Sequence, residues 1–114
     1  MGVFQIRNLA NEKLFVGSSM NLEGIFNRHE FQLKMGGHPN KSLQKDWNAL
    51  GAENFAFEIL EELESRENLD DEAELTFLED LWLEKLEPYG EKGYNERKKT
   101  REERLRMIAA NKKL

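Results

Sequence analysis

At 114 residues, with 39% hydrophobic and 34% charged side chains, the chain has room for one domain and enough apolar mass for a core, so neither a two-domain enzyme nor a disordered polyelectrolyte is expected. It has no cysteine, which excludes a disulfide framework, a thiolate metal centre and a cysteine nucleophile together. The net charge is −5, the opening apolar run breaks at Arg7, and no stretch approaches 20 apolar residues, so neither a signal peptide nor a membrane helix is expected and the expected compartment is the cytoplasm.

In chain order, residues 2–6 and 13–17 are short β-prone runs on either side of the turn-forming Asn8-Leu9-Ala10-Asn11-Glu12, which predicts a β-hairpin. Asn21 is placed to cap a first helix through Leu22, Ile25, Phe26, His29 and Leu33, ending at Gly36-Gly37. Asn40 is placed to cap a second, through Leu43, Trp47 and Leu50, ending at Gly51. Phe55, Phe57 and Ile59 alternate with Ala56, Glu58 and Leu60, predicting a third strand that is central because both its faces carry apolar groups. A long helix from about Asp71 to Leu86 stops before Pro88 and Gly90, and a final helix is read from Asn95 onward. The pattern ββααβαα predicts an α+β fold, a small three-stranded sheet covered by helices.

The Gly2-Val3-Phe4 and Phe15-Val16-Gly17 tripeptides fall on the two hairpin strands. They are followed by Gly17-Ser18-Ser19, Asn40-Lys41-Ser42-Leu43-Gln44, Trp47-Asn48, the strand region 54–62, Trp82 and Gly93-Tyr94-Asn95. In order and spacing this set resembles the GIY-YIG nuclease domain, in its small phage-type, stand-alone or homing-type form. The likeness covers nearly all of residues 2–95, giving a domain at 1–95 and a basic helix at 96–114. It implies a three-stranded mixed sheet flanked by helices and a metal-dependent endonuclease ancestry. It also implies site positions: Phe4 and Phe15 stand at the family's two tyrosines, Ile25 at its helical arginine, Glu79 at its metal-binding glutamate, His29 and His38 at its histidines, and Asn95 at its final asparagine.

The departures fall on the chemistry. Phenylalanine keeps a ring but has no phenol to bond or deprotonate a water, and isoleucine discards the guanidinium whose fork fits phosphate. Losing one transition-state donor costs roughly 10² to 10³ in rate. Arg28, three residues after Ile25 on nearly the same helical face, is the available substitute. Glu79, between Leu75 and Trp82, falls within an apolar stripe, where a carboxylate needs a hydrogen bond, an ion pair or a metal. Three readings of it stay open: a relic of the old cleft, a structural group, or a ligand for Mg²⁺ or Mn²⁺. His29 reads as a hydrogen-bonded core histidine ahead of a catalytic one. No cofactor is expected unless that relic site is active.

Charge is unevenly spread. Residues 58–87 hold thirteen acids against Arg66 and Lys85, whereas 96–114 carry eight basic residues against three acids. An acidic body repels a phosphate backbone, so DNA affinity would have to come from Arg97, Lys98, Arg101 and Arg104. The same tail could instead dock on the acidic helix. Three functions follow: a catalytically degenerate binding or regulatory module with a protein or DNA partner, an endonuclease with a modified site using Glu79, His38 and Arg28, or an acidic protein-binding module.

Overall fold

The computed structural model describes residues 1–65 and 70–96. Arg97, Lys98, Arg101, Arg104 and the expected terminal helix lie outside the described residues. Strands β1 (Gly2–Asn8) and β2 (Leu14–Ser19) form the hairpin; helices α1 (Leu22–Met35) and α2 (Lys41–Leu50) follow, then β3 (Phe55–Glu62) and α3 (Asp71–Leu86).

The caps form as read. Asn21 Oδ1 accepts from the Gly24 amide at 3.0 Å and Asn40 Oδ1 from the Leu43 amide at 3.0 Å, each satisfying a first-turn donor that has no partner inside its helix. Gly36 closes α1 in the left-handed region, at φ 80°, which glycine adopts without a Cβ penalty.

The strand order is β2-β1-β3, so β1 is central and β3 lies at an edge. The apolar character of both β3 faces has another source. The three-stranded sheet is covered on both sides, and an edge strand in such a sandwich also packs twice. Phe55 and Phe57 join Phe4, Ile6, Leu22, Leu33, Leu43 and Trp47 beneath α1 and α2, whereas Leu60 joins Val3, Val16, Leu75 and Leu83 beneath α3.

Both strand pairings are antiparallel rather than mixed. The hairpin reverses the chain once; α1 and α2 then carry it to the far side of β1, where β3 runs in the direction of β2. Among the described residues, the parallel contact is an isolated bridge between Leu14 and Gly93. Phe4 pairs with Gly17, and its ring lies so close over that residue that a Cβ there would stand 2.8 Å from the ring carbon. Glycine at position 17 therefore makes room for the aromatic group opposite.

Candidate functional site

Side chains alternate along a strand, so the hairpin sorts the expected site residues between two faces. Phe4 and Phe15 face α1 and α2. Ser18, paired with Val3 and in phase with Val16, faces α3.

Phe4 is 2% exposed. Its ring meets Phe26 edge-on at 5.5 Å and lies 5.5 Å from the His29 ring. Ile25 is half-buried against the same cluster. Phe15 is half-buried and packs edge-on against His29 at 5.5 Å and His38 at 5.9 Å. Where the family resemblance places two phenols and a guanidinium, this chain has a connected aromatic and aliphatic packing surface.

His29 and His38 come together. His29 Nδ1 and His38 Nε2 are 2.7 Å apart, and the Asn40 amide donates to His38 Nδ1 at 3.0 Å. That amide fixes the protons of the pair. His38 Nδ1 is an acceptor, so neutral His38 carries its proton on Nε2 and donates it to His29 Nδ1; neutral His29 is then protonated on Nε2. Burial pushes His29 down to about 4, helped by the charges of His38 and Arg28, and burial also holds His38 below the usual histidine value. Both rings are neutral at pH 7, and both unprotonated nitrogens are already engaged.

These two rings, Phe15 and Asn95 line an open cleft of about 660 Å³ whose remaining wall includes Asn40, Lys41, Ser42 and Glu96. The cleft thus gathers four of the expected positions. Phe4 lies in the core and Ile25 packs against it, neither lining the cleft, and exposed Arg28 is near enough for its charge to act on His29.

Glu79 is half-buried on α3 and accepts from the Ser18 hydroxyl at 3.1 Å, on the opposite side of the sheet from the Phe4 ring. It is not among the residues lining the histidine cleft. Among the described residues no group of three or more His, Asp or Glu side chains could hold a metal. One carboxylate fits a Mg²⁺ or Mn²⁺ ion whose shell is completed by water and substrate phosphate, not a preformed protein centre.

Asn95 has a structural task. Its Oδ1 accepts from the Val16 amide at 2.8 Å, and its Nδ2 donates to the Val16 carbonyl at 2.7 Å. The side chain therefore mimics a neighbouring strand along the free edge of β2. Gly93 permits this approach, because a Cβ there would lie 2.5 Å from the Leu14 carbonyl oxygen.

Several supporting residues escape a reading of the sequence alone. Buried Gln44 accepts from the His38 amide at 3.0 Å and donates to the Leu33 carbonyl at 3.0 Å, tying the histidine loop to α1. The Tyr94 hydroxyl donates to Asp46 at 2.6 Å and accepts from Asn8 at 2.9 Å; burial pushes its pKa up to about 12. The available signal was polar residues inside apolar runs, but the Tyr94 partners are 48 and 86 residues away in sequence.

The α+β domain thus sets two aromatic hairpin positions beside a histidine pair, with a glutamate on the helix across the sheet. The family model for the GIY-YIG catalytic domain matches residues 1–95, and the chain belongs to the GIY-YIG family. Among its relatives is Intron-associated endonuclease 1 of Enterobacteria phage T4, 35% identical over 85 residues that make up 75% of this chain and 32% of that protein. The match therefore spans about a third of that relative's length. The catalytic domain of homing endonuclease I-TevI superimposes with a TM-score of 0.71 at 31% identity, over 85% of this chain and 98% of that one. A mutant of the catalytic domain of intron endonuclease I-TevI gives the same TM-score at 30% identity, over 87% and 95% of the two chains.

Proposed function

We propose that this GIY-YIG domain is catalytically degenerate and acts as a binding or regulatory module. The observation that carries the reading is the state of the cleft. Its two tyrosine-equivalent positions hold phenylalanine, and the basic nitrogens of its histidines are occupied, one by the Asn40 amide and one by the neighbouring imidazole. Hydrolysis of a phosphodiester requires a group that receives a proton from the attacking water and a cation that steadies the phosphate. Phe4, Phe15 and Ile25 supply neither. With each missing group worth roughly 10² to 10³ in rate, the combined deficit is larger than a residual scaffold offsets.

That its relatives are endonucleases favours a nucleic acid such as DNA as the partner class, and the acidic body leaves any such binding to the basic residues beyond position 96. A second reading, a modified endonuclease, draws support from Arg28, whose charge reaches His29, and from Glu79, held by Ser18. In that reading a divalent ion bound at Glu79 would supply Lewis-acid stabilisation of the phosphate.

The assay is cleavage of plasmid and branched DNA by the purified chain with Mg²⁺ or Mn²⁺. No product above background is expected. Metal-dependent nicking that vanishes in Glu79→Ala would overturn the degenerate reading. In the folded triple variant Phe4→Tyr, Phe15→Tyr, Ile25→Arg, some divalent-dependent cleavage is expected to return.

A further inference from the structure

Helix α3 is apolar on two sides. Its inner side packs Leu75, Leu78, Trp82, Leu83 and Leu86 against the sheet. Its outer side carries Ala73, Phe77 and Leu81 at successive i, i+4 positions, with Phe77 66% and Leu81 46% exposed. With Leu63 and Leu78 these residues line a shallow groove of about 540 Å³. A second helical stripe spaced by four residues is what a packed partner helix requires, and a solvated surface does not call for it.

We infer that the basic segment 97–114 of this same chain is the occupant, seating Leu105 and Ile108 on the Ala73–Phe77 part of this stripe. Charge is the first argument. Helix α3 carries six acids against Lys85 alone, whereas 97–114 carries eight basic residues against two acids. Glu72 flanks Phe77, and Glu84 stands further along the same helix. A cationic helix therefore gains along its whole length from a position beside them. Pairing with Lys85 does not compete for the same surface, since its ammonium lies 4.8 Å over the Trp82 ring.

Reach is the second argument. The Asn95 amide donates to the Pro88 carbonyl at 3.0 Å, so the chain leaves the described fold beside the C-terminal end of α3. Phe77 lies nine residues before Leu86, roughly 14 Å along the axis at 1.5 Å per residue, and Ala73 roughly 20 Å. Leu105 and Ile108 follow Glu96 by nine and twelve residues, also roughly 14 and 18 Å of helix. An antiparallel return along α3 thus brings Leu105 to the level of Phe77 and Ile108 to that of Ala73. Leu105 and Ile108, three apart, share one side of such a helix.

The absence of native cysteine allows a single-site probe in the full chain. A nitroxide attached through Asn111→Cys should broaden the amide resonances of Ala73, Phe77 and Leu81 selectively, unchanged on tenfold dilution. The broadening should fall in 0.5 M salt and disappear in Phe77→Ser/Leu81→Ser, whose exposed positions leave the fold intact as read from its remaining spectrum. Three results would overturn the inference. These are no broadening on α3, broadening on the other exposed pair Phe31 and Met35 of α1, or broadening that appears only when labelled and isotope-enriched copies are mixed. The last outcome assigns the groove to a second copy.

Discussion

Asn95 gives the sharpest separation between a residue retained for chemistry and one retained for architecture. In Asn95→Ala the Val16 amide and carbonyl both lose their partner, and Val16 is 2% exposed. An unsatisfied buried backbone group costs about 1 to 3 kcal/mol. Asn95 itself is half-buried, so water can enter part of the space left by truncation, which sets the expected loss near the lower end for each group, about 2 to 3 kcal/mol together. For a domain of this size that corresponds to a fall in Tm of roughly 8 to 20 °C. Urea and thermal unfolding of the two chains read it directly. Asn95→Asp adds a sign test. It keeps an acceptor for the Val16 amide but faces the carbonyl with a carboxylate, so it should cost as much at pH 7 and less at pH 4, where a protonated carboxyl can donate. If Asn95→Ala unfolds within about 0.5 kcal/mol of the parent, the clamp contributes nothing measurable and the reasoning fails.

The two phenylalanines should respond differently to a restored phenol: Phe4→Tyr buries a hydroxyl between Gly17, Phe26 and His29 and should cost about 1 to 3 kcal/mol, whereas Phe15→Tyr opens into the cleft and should stay within about 0.5 kcal/mol, as urea midpoints would show. Stability should also fall on acidification. Because folded His29 is pushed down to about 4 from an unfolded value near 6.5, the unfolded chain binds more protons between those limits. Its contribution is therefore complete above about pH 6.5 and drains away as pH drops towards 4. His29→Gln should flatten that part of a Tm–pH profile, and an unchanged slope would show that the histidine pair is not its source.

What was legible in the sequence is what local chemistry determines. Asn21 and Asn40 preceded apolar residues at helical spacing, and each accepts the expected amide. The bounds of α3 followed from Pro88 and from the run of leucines. The position of β3 was misread because two-sided apolarity signals coverage on both faces, and a central strand and the edge of a covered three-stranded sheet share it. The match of His29 and His38 to the family's histidines came from resemblance alone, and nothing in helix periodicity announced that the two rings meet. Asn95 was assigned to chemistry for the same reason. Its clamp on Val16 spans 79 residues and depends on a free edge at β2, which no local pattern announces.

The sheet's two outer margins differ in a way that matters for handling the protein. Exposed backbone at the rim of a sheet invites another chain to add itself as a strand. On the β2 rim that vacancy is filled from within: Leu14 accepts from the Tyr94 amide at 2.9 Å and Val16 is taken by Asn95. On the β3 rim the deterrent is charge, with Glu58, Glu61 and Glu62 within eight residues. A fragment trimmed at Glu87 would keep every strand and helix named here yet lose the self-supplied cover of β2. Such a fragment would be expected to self-associate edge to edge through β2, whereas one trimmed at Glu96 would keep the β2 rim covered.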